Sequence, residues 1–156
     1  MPLDNTDLYH IAWVVDDLEL SMKAFGSTGL QWATPTIRTV KVQTPTTAIT
    51  EFSIFVTYSI HDPMHVELIQ KCPGSPWDHV PNGGPHHLGW WSHDFKKSIS
   101  DLVSDGHKLE SWMVDADGQP ARFAYFQNPL GQRIEIVDIA ARPQLQAWWA
   151  GKQYPS

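Results

Sequence analysis

A chain of 156 residues that is 42% hydrophobic and 18% charged has enough apolar material for a buried core and too little charge to stay disordered. Its formal charge of −6, from 11 basic against 17 acidic side chains, excludes the basic footprint that nucleic acid or an anionic membrane surface requires. Cys72 is the one cysteine, so no intrachain disulfide forms; with no basic leader and no membrane-spanning apolar run, a soluble cytoplasmic protein is expected.

In chain order, residues 8–15 (LYHIAWVV) read as a strand buried on both faces, with His10 its one ionisable member. Asp16 or Asp17 offers an N-cap, and Leu18, Met22 and Phe25 recur at helical spacing until Gly26 and Gly29 end the helix. Residues 31–42 favour an extended chain, Pro45 marks a turn, residues 51–60 alternate as a strand, and Asp62-Pro63 turns the chain into a strand at 64–70. The first half is therefore β-α-β-β-β, spanning about 7–70.

Residues 71–84 hold three prolines and three glycines and form a linker, kept ordered by the need to cover Trp77. The order then repeats over about 85–140: a strand at 86–92, a helix at 95–104, and strands at 108–114, 122–127 and 132–139, the last two joined by the Asn128-Pro129-Leu130-Gly131 turn. In the tail, 141–156, one or two helical turns follow Pro143. Trp148 and Trp149 require cover from the body of the domain or from a second subunit.

The repetition is also literal. Within residues 85–106 (PHHLGWWSHDFKKSISDLVSDG), the stretch 86–106 lies on residues 9–29 (YHIAWVVDDLELSMKAFGSTG) at an offset of 77, matching His87 to His10, Trp90 to Trp13, Asp94 to Asp17 and Ser98 to Ser21. QRIEIVD at 132–138 lies on MHVELIQ at 64–70 at an offset of 68, matching Glu135 to Glu67. Each half thus opens with a histidine on a strand and closes with a glutamate on a strand. Alone, such a histidine is ordinarily a satisfied core residue and such a glutamate a solvent-facing one. Recurrence of both at matching positions, on apolar strands where an unpaired charge is expensive, points to a shared site.

Strand alternation puts Val14 on the face of His10, Trp91 and Gly89 on that of His87, His65 and Ile69 on that of Glu67, and Arg133 and Val137 on that of Glu135. If two curved half-cups close face to face, two imidazoles and two carboxylates converge, a suitable ligand set for Zn, Ni, Co, Mn or Fe(II). Val14, His65, Ile69, Trp91 and Arg133 are then expected to line the substrate pocket. Either Glu67 or Glu135 can serve as catalytic base while the metal polarises a carbonyl. By the same alternation His86 faces away from His87. His79, His93 and His107 read as surface residues, Pro63 argues against a helical His61–His65 metal pair, and Cys72 reads as inert.

HIAWVVDDL and HHLGWWSHDF opening the halves, with VELIQ and IEIVD closing them, resemble the vicinal oxygen chelate superfamily, which includes glyoxalase I and methylmalonyl-CoA epimerase. The resemblance covers roughly residues 7–140. It implies an α+β fold in which two βαβββ modules form a cup-shaped mixed sheet, as one glyoxalase-like domain. It also implies a divalent metal on His10, Glu67, His87 and Glu135, and a homodimer. The His, Glu, His, Glu set is similar to that of metal-dependent bacterial glyoxalases, whereas epimerases usually carry Gln in place of Glu67. FGSTGLQWATPT, after the first helix, lacks the tyrosine and LGM-like ending common in glyoxalases, and no glutathione-binding set stands out. The activity implied is that of an isomerase, epimerase or lyase acting through a metal-bound enolate on a carbonyl substrate with an apolar body. A binding protein that sequesters a small molecule is the alternative, although such proteins often lose the ligands. A dioxygenase is the further alternative; the extradiol type uses three ligands, which Glu67 argues against.

Overall fold

The computed structural model describes residues 3–78 and 83–155. The first module runs β1 (Leu8–Val15), α1 (Leu18–Ala24), β2 (Thr36–Gln43), β3 (Thr50–Tyr58) and β4 (His65–Gln70). The second runs β5 (His87–Ser92), α2 (Phe95–Ser104), β6 (Lys108–Val114), β7 (Pro120–Gln127) and β8 (Arg133–Asp138). A 3-10 turn, Ile139–Ala141, then leads into α3 (Arg142–Trp149). The duplication extends to the helix caps: the Asp17 carboxylate accepts from the Leu20 N–H at 2.9 Å, and its repeat partner Asp94 accepts from that of Lys97 at 3.0 Å.

The strands close into a barrel in the order β1-β4-β3-β2-β6-β7-β8-β5. Each module is mixed, with β1 parallel to β4 and β5 parallel to β8. The half-cups join edge to edge, not face to face as the sequence suggested, along two antiparallel seams. One is β1 with β5, pairing His10 with Gly89 and Ala12 with His87; the other is β2 with β6, pairing Val42 with Met113 and Gln43 with Trp112. The four module edges pair with one another this way and close the ring, although the second seam joins only the last two residues of β2.

The main core lies inside the barrel, where Val40, Ile54, Val56, Ile69 and Val137 pack with aromatic side chains. A second cluster, with Phe95, Leu102, Phe126 and Ile136, lies under α2. Trp77 of the linker is buried, its indole N–H donating to the Tyr125 hydroxyl at 3.0 Å. The tail covers its own tryptophans on the same chain: the Trp148 indole donates to the Thr34 carbonyl at 2.9 Å, and Trp149 stacks on His65 at 3.7 Å. Among the described residues no helix is long and apolar enough to cross a membrane.

Candidate metal centre

His10 and His87 come from the two strands of the central seam, and Glu67 and Glu135 from the parallel strand beside each. The register explains how they meet. Gly89 lies between His10 of β1 and Glu135 of β8, and Ala12, its repeat counterpart, lies between His87 of β5 and Glu67 of β4. These two small residues leave the space in which the four larger side chains converge. A β-carbon on Gly89 would fall 1.8 Å from Cε1 of His10.

The Nε2 atoms of His10 and His87 are 2.9 Å apart. Oε2 of Glu67 lies 3.4 and 3.3 Å from them, and Oε2 of Glu135 lies 3.0 and 3.2 Å from them. No member is more than 5% exposed. Ligand bonds of about 2.1 Å place neighbouring donor atoms roughly 3.0 Å apart at a right angle and 3.4 Å apart at the tetrahedral angle, so these spacings suit a shared cation. Hydrogen bonding satisfies the cluster poorly: Oε2 of Glu135 and Nδ1 of His10 are buried with no hydrogen-bond partner despite the close approaches. Two protonated imidazoles would also aim their Nε2–H groups at each other. A divalent ion instead would take up all four lone pairs and balance two buried carboxylates.

Without an ion, the protons follow the local charges. Burial pulls His10 down, but the close approach of the Glu135 and Glu67 carboxylates and their charge outweigh it and raise its pKa to about 9. His87 is also raised, burial being outweighed by Glu135, while a charge on His10 counts against it. Burial pushes both glutamates up, yet Glu67 is held well below the carboxylate range by its hydrogen bonds to the two histidines, and Glu135 is lowered first by the charge of His87.

His86 supplies a support that strand alternation misses, because it precedes β5 and its side chain turns toward His87 instead of away. Its Nε2 lies 2.8 Å from the Pro76 carbonyl, which can only accept, so Nε2 carries the proton. Its Nδ1, 2.8 Å from Nδ1 of His87, is then the acceptor, and His87 donates. In the neutral ring Nε2 of His87 is then a bare lone pair aimed at the cluster, as a metal ligand must be. Burial, then the charge of the neighbouring His87, lowers the His86 pKa to about 3, which keeps His86 neutral.

The glutamates line a cavity of ≈30 Å³ together with Tyr9, Tyr58, Ile69 and Tyr125, and Arg38 and Arg122 also border it. Of the expected pocket residues, Ile69 reaches it. Val14 packs against the core from a half-buried position, and Trp91 lies behind Tyr9, stacked on it at 3.7 Å. His65 is occupied by the Ser59 carbonyl at 2.6 Å, by Asp62 at 3.0 Å and by Trp149. Arg133 turns to Glu110, at 2.6 and 2.7 Å. Tyr9 enters because β1 is irregular between Leu8 and His10, which brings two successive side chains inward and breaks strict alternation. Among the other histidines, His61 and His93 are exposed, His107 is half-buried, and His79 lies outside the described residues.

The sequence model of the Glyoxalase/Bleomycin resistance protein/Dioxygenase superfamily matches residues 9–126, which include His10, Glu67 and His87 and end before Glu135. No curated protein matches the sequence. Among solved structures, methylmalonyl-CoA epimerase from Mycobacterium tuberculosis is similar with a TM-score of 0.53 at 13% identity, over 87% of this chain and 91% of that one. Another methylmalonyl-CoA epimerase gives 0.55 at 14% identity, over 84% and 93%. A hypothetical protein from Bacillus halodurans C-125 gives 0.54 at 16% identity, over 86% and 95%. At these identities the likeness is one of fold.

Proposed function

This chain belongs to the Glyoxalase/Bleomycin resistance protein/Dioxygenase superfamily, and from that premise we propose that it is a divalent-metal-dependent isomerase, epimerase or lyase that moves a proton next to a carbonyl group. One observation carries the reading: His10, Glu67, His87 and Glu135 each offer a buried ligand atom, all within 4.8 Å of one another, inside a single chain. The homodimer expected from the resemblance is not needed to complete this site. A divalent ion held there would polarise a substrate carbonyl and stabilise the negative charge that develops when a neighbouring proton leaves.

The chain's own residues handle that proton. Glu67 and Glu135 stand on opposite sides of the seam and stay ionised, so either can accept a proton from a carbon held in the cavity and give it back, while the other delivers one to the opposite face only after taking it from water. Each glutamate is paired in register with a tyrosine, Tyr58 with Glu67 and Tyr125 with Glu135. Burial, then the carboxylate charges, raises both phenols well above the usual tyrosine range, so they remain protonated. Tyr125 accepts from Trp77, which leaves its own proton free for a substrate oxygen. The surrounding aromatic wall suits a substrate with an apolar body and excludes water. The folds similar to this one include methylmalonyl-CoA epimerases, whose named activity falls within the proposed class.

The test combines elemental analysis of the purified protein with proton NMR in D₂O over a panel of 2-oxo and acyl-CoA compounds. About one divalent ion per chain, with metal-dependent deuterium uptake beside a carbonyl, is the expected result. Metal-loaded protein that exchanges no proton in any of them would favour a sequestering role instead.

A further inference from the structure

Arg38 on β2 and Arg122 on β7 meet at one end of the barrel, and among the described residues neither is paired with a carboxylate. Arg122 donates to Oε1 of Gln144 at 2.7 Å and to the Tyr154 hydroxyl. The Arg38 guanidinium lies over the Tyr154 ring, 4.7 Å from its centre, and that of Arg122 lies 5.7 Å from it. All of these partners are neutral. Two half-buried cations are therefore held together by one tyrosine ring and one amide, and burial, followed by the charge of Arg38, lowers the Arg122 pKa. Arg122 also takes a φ of 72°, which L side chains rarely adopt, and such conformations gather at functional sites.

Position gives the pair its meaning. Both arginines wall the ≈30 Å³ cavity that reaches Glu67 and Glu135, and both also border an outer groove of ≈280 Å³ flanked by Tyr154 and Pro155. They therefore form a partition between the outer groove and the cavity, with Tyr154 on the groove side. The inner cavity has room for about two waters, whereas small-molecule sites run to several hundred Å³, so a substrate enters here only if the partition yields. On the inner side the buried Tyr9 hydroxyl has no hydrogen-bond partner.

We infer that Arg38 and Arg122 bind an oxyanion of the substrate, a carboxylate or a phosphate, and that the Tyr154 side chain fills that place in the free protein. The inference rests on the cluster below being the reaction centre. Guanidinium forks match a charged oxygen pair far better than a phenol, so an anion arriving from the groove replaces Tyr154 and joins the two spaces. With two glutamates and a divalent ion near neutral below, the arginines make the mouth positive, which steers anions inward despite the overall negative charge.

Isothermal titration of the metal-loaded chain with benzoate and with phenylphosphonate, against neutral benzamide, tests this, and the preferred anion separates carboxylate from phosphate. At least one anion should bind about tenfold or more tightly than benzamide, and Arg38→Gln or Arg122→Gln should each remove about tenfold of that preference. Tyr154→Ala should tighten anion binding several-fold, by removing the competitor, as a first ligand-occluding state is lost. Equal affinity for benzamide, no loss in either arginine variant, or weaker binding after Tyr154→Ala would overturn the inference. The same titrations on chelator-treated protein isolate the arginines from the metal. Absence of metal from the samples would refute the enolate reading, while the arginine comparison would still be decided.

Discussion

Gly89→Ala adds one methyl group, and its consequence can be worked from the barrel seam. Gly89 does not have a positive φ, so alanine suits its backbone, and on an open strand the change would be expected to stabilise by roughly 0.5–1 kcal/mol through lost unfolded-state freedom. Here the new atom would lie 1.8 Å from Cε1, 2.3 Å from Nδ1 and 2.5 Å from Nε2 of His10. The ring of His10 is fully buried and cannot yield without moving its neighbours. Overpacking of this kind costs about 1–3 kcal/mol, which reverses the sign and lowers the melting temperature by some 2–12 °C for a domain of this size. It also swings Nε2 of His10 out of the cluster. Wild-type protein should therefore lose stability on chelation, by about 2.7 kcal/mol when the ion had been present at 100 times its dissociation constant, whereas Gly89→Ala should melt alike with and without chelator. Differential scanning calorimetry with elemental analysis reads both effects. A variant that keeps its metal and its chelator-sensitive melting would refute the geometry argued for His10.

Removing His86 as His86→Ala leaves Nδ1 of His87 without its acceptor, and equilibrium dialysis should show metal affinity falling about 10- to 100-fold. Glu67→Gln and Glu135→Gln should lower turnover by about 10²- to 10⁴-fold at the residue that acts as base, and less at the other, while metal content falls by a smaller factor. For the chelated protein, the sign of the pH dependence follows from His10: its pKa is raised from 6.5 to about 9, so its contribution is complete below 6.5 and is lost as pH rises through 9. The two glutamates have lowered pKa values, so their contribution is present above the ordinary 4.5 and is lost as pH falls through their folded values. Urea unfolding should accordingly find the chelated protein weakening between pH 6.5 and 9; a rise in stability across that window would contradict the charge assignment. Metal binding should strengthen over the same window as the imidazole proton is lost.

The parts of this molecule that were legible in the sequence are those the duplication wrote twice. His10 with His87, Glu67 with Glu135, and the caps Asp17 with Asp94 could be matched because each recurs on the same kind of element, the first and last pairs at an offset of 77 and the glutamates at 68. The alternation of β4 and β8 then aimed both glutamates inward, and the four side chains do meet. What escaped depends on breaks in regularity or on contacts between segments far apart in the chain. Tyr9 turns inward because β1 is irregular, and His86 turns toward His87 because it lies just outside β5. The seam between β2 and β6 pairs backbones of unlike sequence, Val42 with Met113 and Gln43 with Trp112, so no pattern announced it. Arg38 and Arg122 become neighbours only once that barrel closes and the tail brings Tyr154 between them. Trp91 and Arg133 were placed on the right strands, but Tyr9 covers the first and Glu110 holds the second.

The account stands on the claim that His10, Glu67, His87 and Glu135 hold one divalent ion. Anomalous diffraction from a crystal of the protein, recorded on both sides of the absorption edge of the metal found by elemental analysis, addresses it most directly. A single peak within about 2.0–2.3 Å of Nε2 of both histidines and of one oxygen from each glutamate is the predicted result. No peak there, in crystals whose solution binds the ion stoichiometrically elsewhere, would make the cluster a buried ion-pair network and remove the basis for the proposed chemistry.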